Sequence, residues 1–172
     1  MIKKIIFSLI GIIALLVVAF LCIGMFVPSV EYTTTVEINK PRETVWQVLR
    51  ERKDWVYGFK SFQQISGAPN EVGSRSHIVV VRDGYESAFD SELKRISPPE
   101  MAETELTNSM LVHDAVVNLT ENNGKTTLVS NERITGTNPV YRSLFALFKS
   151  RITGISAKNF EALKQAAESS EN

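Results

Sequence analysis

Apolar and polar positions fall into three regimes along this chain. Residues 5–27 carry no charge at all, and Lys3 and Lys4 stand immediately before them. From Glu31 to Thr135, apolar and polar residues alternate in short runs separated by turn residues. From Pro139 onward, apolar residues recur at helical spacing.

The first regime predicts a helix that stays apolar all round. At about 1.5 Å per residue its 23 residues reach roughly 34 Å, enough to cross a hydrocarbon core of about 30 Å. A cleaved signal peptide competes with this reading, but its apolar region is shorter, roughly 7–15 residues, and ends in small residues. Cys22-Ile23-Gly24 fits such a site poorly, and bulky Phe20 and Leu21 do not make a lipobox before Cys22. The expectation is an uncleaved anchor over residues 1–27, with Cys22 as one more apolar side chain. Lys3 and Lys4 place the N-terminus in the cytoplasm by the positive-inside rule. Residues 28–172 are then expected as one domain on the extracytoplasmic side of the cytoplasmic membrane.

The second regime predicts strands. Residues 31–38 are rich in β-branched types. Pro41 then opens a helix through about Arg52, with Val45, Val48 and Leu49 on one face and Trp46 beside it. Residues 53–59 suggest a second short helix or a turn, ended by Gly58. Strands are expected at 62–66, 76–82, 85–96, 101–107, 111–119 and 126–135. Asp83-Gly84 and Asn122-Asn123-Gly124 are hairpin turns, because these residue types tolerate positive φ. Alternation puts Tyr85, Phe89 and Leu93 on one face, and likewise Ala102 with Leu106, and His113 with Ala115 and Val117. The third regime is one long helix carrying Tyr141, Phe145, Phe148, Ile152, Phe160 and Leu163, with a bend expected at Gly154. Strands joined by tight turns form an antiparallel sheet, and the helix is the element available to cover its apolar face. The fold class is α+β.

Composition narrows the chemistry. Past residue 27 the chain holds 17 basic and 19 acidic residues without a basic patch, so nucleic acid is not an expected partner. That part contains no cysteine, which removes disulfides and thiolate catalysis. The two histidines, His77 and His113, lie far apart without a metal-ligand motif, so neither metal nor cofactor is expected. There is no Gly-x-Ser-x-Gly elbow and no Gly-rich phosphate loop.

The opening strand, Pro41-Arg42-Glu43-Thr44-Val45-Trp46-Gln47-Val48-Leu49, Asp54-Trp55, the Gly73-Ser74 turn and Asn159-Phe160-Glu161-Ala162-Leu163-Lys164 together resemble the SRPBCC superfamily, the START and Bet v 1-like group that includes polyketide cyclase/dehydrase proteins. The resemblance spans roughly residues 31–167. It implies a helix-grip: a curved antiparallel sheet of six or seven strands around a C-terminal helix, enclosing an apolar cavity for a hydrophobic ligand. The membrane anchor is a departure from that pattern.

Tyr85, Phe89, Leu106, His113, Phe145 and Phe148 are the residues expected to line such a cavity. His113 is the one weak catalytic candidate, as a general acid or base. The plainer alternative is a histidine satisfied within the core. Glu132 and Arg133, near the end of the last strand, have two readings: contact with a polar group of a ligand, or, as the leading expectation, an ion pair at the surface or rim. The leading expectation is a membrane-anchored binding domain for a hydrophobic small molecule or lipid. A cyclase- or dehydratase-like enzyme and a ligand-free scaffold remain open beside it.

Overall fold

A computed structural model describes residues 2–170. The chain runs α1 (Ile2–Phe26), β1 (Ser29–Ile38), α2 (Arg42–Glu51), β2 (Phe59–Ser66), β3 (Arg75–Arg82), β4 (Tyr85–Ser97), β5 (Met101–Thr107), β6 (Leu111–Asn122), β7 (Lys125–Gly136), α3 (Pro139–Leu147) and α4 (Lys149–Glu168). The seven strands form one antiparallel sheet in the order β1-β7-β6-β5-β4-β3-β2. This is a helix-grip, with α4 against the concave face of the sheet.

Turn chemistry sets the register. Asp83 and Gly84 have φ of 51° and 82°, and their hairpin joins Arg82 to Tyr85. Asn123 and Gly124, at 52° and 73°, join Asn122 to Lys125. Both pairs are left-handed, as a two-residue hairpin with the right strand twist requires. β1 pairs with β7 from Ser29↔Thr135 to Ile38↔Thr126, so the first and last strands are neighbours. β1 and β2 are the two sheet edges.

The core fills only one end of the grip. Val45, Val48 and Leu49 of α2 meet Phe160, Leu163 and Ala167 of α4 over Ile38, Val117, Leu119 and Leu128 of the sheet. Each large aliphatic side chain buried there contributes roughly 1.5–3 kcal/mol. This cluster lies toward the β6–β7 turn.

Residues 53–58 take the turn alternative, with the Val56 amide donating to the Lys53 carbonyl (3.0 Å) and Phe59 to Val56 (2.9 Å). One expected element differs. The C-terminal helix breaks at Phe148 (φ −101°, ψ 23°), and Gly154 lies inside α4. A glycine disfavours helix by only about 1 kcal/mol, which the packing of α4 on sheet and α2 outweighs. Asn138 caps α3, its side chain accepting from the Tyr141 amide at 3.1 Å, with Pro139 in the first turn.

α1 is long and apolar enough to cross a membrane, by length and composition. Its last turns dock on α3. Gly24 is buried there, where an added Cβ would stand 1.9 Å from the Pro139 carbonyl oxygen. The fully buried Ser143 hydroxyl donates to the Phe20 carbonyl.

Candidate functional site

Beyond the core, a cavity of ≈ 430 Å³ separates the sheet from α4. Inward positions of every strand from β2 to β7 line it, as strand alternation dictates. Its apolar wall includes Phe59, Phe62, Ile78, Phe89 and Leu93 from the sheet, with Phe145, Ile152 and Ile155 from α3 and α4. Phe62, Pro69 and Asn70 line the cavity and are also exposed. They mark a mouth beside the free edge of β2.

Of the residues singled out from sequence, Phe89, Leu106, His113 and Phe145 border the cavity. Tyr85 and Phe148 do not. Tyr85 shares a strand face with Phe89, but β4 runs on past the cavity, and the ring is 78% exposed. Phe148 sits at the α3–α4 break, where the helical phase resets, and is 56% exposed. His77 faces away from the cavity and meets its cross-strand partner Asp90 at 2.8 Å.

The chemical centre is a buried carboxylate. Glu132 on β7 is 7% exposed. Its Oε2 accepts from the Tyr32 hydroxyl of β1 at 2.9 Å and lies 3.0 Å from His113 Nε2 of β6. Its Oε1 accepts from the Ser130 hydroxyl at 3.3 Å and from the Ser156 hydroxyl of α4. Thr34 Oγ1 lies 3.1 Å from Ser156 Oγ and extends the network. Glu132 therefore does not pair with Arg133, correcting the expected rim ion pair. Neighbours on a strand point to opposite faces, and Arg133 instead meets Glu31 on the outside at 2.8 Å. The parity of β7 carried this signal: Leu128, Ser130, Glu132 and Ile134 alternate with outward residues.

Burial pushes the Glu132 carboxyl up, but hydrogen bonds from His113, Ser156 and Tyr32 and the nearby imidazole outweigh it and hold the carboxyl below its ordinary value. The Tyr32 hydroxyl is driven far up by burial and by the adjacent Glu132 charge. An ionised Glu132 only accepts, so His113 Nε2 must carry the hydrogen between them. In the neutral ring, Nδ1 then holds a lone pair. It has no protein partner among the described residues and is not sealed from solvent. His113 can thus accept a hydrogen bond, or a proton, from a donor group in the cavity.

A second polar region lies toward the mouth. Arg50, Lys53 and Arg82 line the cavity, and none has a carboxylate within ion-pair distance among the described residues. Arg50 Nε donates to Asn70 Oδ1 at 2.9 Å, and Lys53 Nζ donates to the Arg50 carbonyl at 2.6 Å. Burial, reinforced by the Arg50 charge and partly countered by Glu51, pushes Lys53 down to about 8. Among the described residues no three potential metal ligands come together.

No family model and no curated protein sequence matches this chain. Solved structures do. The Zhui aromatase/cyclase from Streptomyces sp. R1128 superposes with a TM-score of 0.68 at 14% identity, over 81% of this chain and 94% of that one. Ara h 8.0201 gives 0.65 at 11% identity, over 83% and 99%. Norcoclaurine synthase from Thalictrum flavum gives 0.62 at 11% identity, over 83% and 88%. At these identities the likeness establishes the Bet v 1-like helix-grip fold and leaves the activity to the site.

Proposed function

We propose that this chain is a membrane-anchored binding protein for a hydrophobic small molecule or lipid, held between the sheet and α4. The observation that carries the reading is the ≈ 430 Å³ cavity with its apolar wall. That volume falls in the 300–1,000 Å³ range of small-molecule sites, which join apolar walls to a few placed polar groups. Here those groups are His113 with Glu132 at one place and Arg50 with Lys53 at another. Residues 1–27 serve as the anchor and residues 28–172 as the binding domain on the extracytoplasmic side. The tether keeps the cavity close to the lipid phase, where an apolar ligand is concentrated.

The test is extraction and mass spectrometry of the full chain purified in mild detergent, beside an Ala115→Trp variant. Ala115 lines the cavity, so an indole there occupies ligand space. Wild type should yield an apolar molecule that the variant lacks. Equal yields from both would sink the proposal.

One observation favours a second reading, an enzyme of the cyclase or dehydratase kind: His113 is oriented by Glu132 with Nδ1 left as an acceptor. The aromatase/cyclase and synthase structures show that this fold carries catalysis elsewhere. Under that reading His113→Ala accumulates a substrate differing from the wild-type extract by one water. An identical molecule in both extracts favours binding alone.

A further inference from the structure

The docking of α1 on α3 says more than that a helix precedes the domain. Crossing a hydrocarbon core of about 30 Å takes about 20 helical residues. Counted from Ile5, the first residue after Lys3 and Lys4, that length ends at Gly24. Gly24 is the residue buried against Pro139 at the start of α3. With the Ser143–Phe20 hydrogen bond, α3 is fixed at the level where α1 leaves the hydrocarbon.

The outward surface at this level is apolar. Val140, Leu147 and Phe148 are 44%, 56% and 56% exposed, beside Met25 and Phe26 at the end of α1. The β3–β4 hairpin reaches the same pole, since Asp83 pairs with Arg151 in the first turn of α4. That hairpin presents the exposed ring of Tyr85. Large apolar side chains gathered at one pole are unusual on a surface that faces only water. Tyrosine suits an interface, with its ring in the apolar layer and its hydroxyl in the wet one. Exposed Lys149 stands beside Leu147 and Phe148, placed for anionic headgroups.

We infer that the α3 pole of the domain rests on the bilayer that α1 crosses, with α3 at headgroup depth and Val140, Leu147 and Phe148 touching acyl chains. The inference rests on the anchor reading of α1. Phe145 and Leu147 sit about 200° apart on α3. Phe145 lines the cavity while Leu147 is exposed, so one helix separates cavity from lipid.

The experiment uses the full chain with Cys22→Ser and one labelled cysteine at a time: Leu147→Cys, Phe148→Cys, Leu15→Cys within α1, and Lys125→Cys at the far end of the sheet. All four positions are exposed, so a bimane label disturbs no core. Each protein is reconstituted in vesicles of phosphatidylcholine and phosphatidylglycerol, with and without nitroxide-bearing lipid. Leu147→Cys, Phe148→Cys and Leu15→Cys should lose most of their emission to the nitroxide, and Lys125→Cys almost none. Unquenched labels at 147 and 148 with a quenched label at 15 would overturn the inference while leaving the anchor intact. Stronger quenching at 125 than at 147 would overturn it by placing the other pole on the membrane. An unquenched label at 15 would remove the anchor reading and the inference together.

Discussion

Replacing Glu132 by glutamine changes one charge and no shape, so it isolates what the buried carboxylate does. Oε1 keeps its acceptor role toward Ser130 and Ser156. The substituted amide nitrogen meets the Tyr32 hydroxyl at 2.9 Å and His113 Nε2 at 3.0 Å, both of which donated to the carboxylate. Hydrogen bonds to a charged group are worth roughly 1.5–3 kcal/mol each, against about 1 for neutral ones. The hydroxyl can rotate and the imidazole can change tautomer, so both contacts survive in weaker form. The expected destabilisation is about 2 kcal/mol for Glu132→Gln. It rises to about 3–5 kcal/mol for Glu132→Ala, which strands its partners, less whatever cavity water restores. Tyr32→Phe alone should cost about 1 kcal/mol, and less in the glutamine background, because contacting residues couple. Denaturant titration of the full chain in detergent micelles measures all three and the double variant. A glutamine variant within about 0.5 kcal/mol of wild type, or strict additivity with Tyr32→Phe, would refute the network as described.

The same substitution has a pH signature. Glu132 titrates below its ordinary value when folded, so near pH 4 the unfolded chain binds more protons than the folded one. Its contribution is present above the unfolded value of about 4.3 and disappears as pH falls through the lower folded value. The stability gap between wild type and Glu132→Gln should therefore be widest near neutrality and close on acidification. A gap that widens in acid would reverse the assigned direction.

Two further outcomes follow from other sites. Gly24→Leu drives a side chain into the Pro139 carbonyl and should part α1 from α3 while the β-domain unfolds at its usual denaturant concentration; faster proteolysis between α1 and β1 reads this, and unchanged cleavage would argue against the contact. Lys53 borders the cavity and loses its proton as pH rises through about 8, so laurate should bind more weakly on the alkaline side. Fluorescence of Trp55, which also lines the cavity, follows that titration, and Lys53→Met should flatten it.

The elements were legible because each rests on a local rule. Pro41, Asp83-Gly84 and Asn123-Gly124 fix φ by their own chemistry, and alternation in β4 to β7 reports which face is buried. The choice between helix and turn at 53–58 stayed open, and the break at Phe148 was not legible, because there tertiary contacts choose between local conformations of similar energy. At the site, alternation puts Phe89, Leu106 and His113 on the face that borders the cavity but does not say where along a strand the cavity ends, and Tyr85, on the same face of β4 as Phe89, lies beyond it. The burial of Glu132 and its network were not legible for a different reason. A carboxylate is costly to bury unless several donors meet it, and those donors come from β1, β6 and α4, distant in sequence.

The cavity itself has a cause readable in side-chain volume. Along the inner face, the end beneath α2 carries Ile38, Leu119 and Leu128, which reach α4 and pack. The middle carries Ser76, Ser91, Ala102, Thr104, Ala115 and Ser130, which are too short to cross the same gap. A packed interior leaves few voids larger than a water molecule, so a hollow of ≈ 430 Å³ costs dispersion contacts that larger residues would recover. Ser91→Val with Ala115→Val should therefore raise the unfolding midpoint, by about 0.5–2 kcal/mol of stability. If the hollow serves a ligand, the same pair should deplete the molecule extracted with the wild-type chain. A stabilised variant that still carries its full complement would mean that the small residues make room for something other than that ligand.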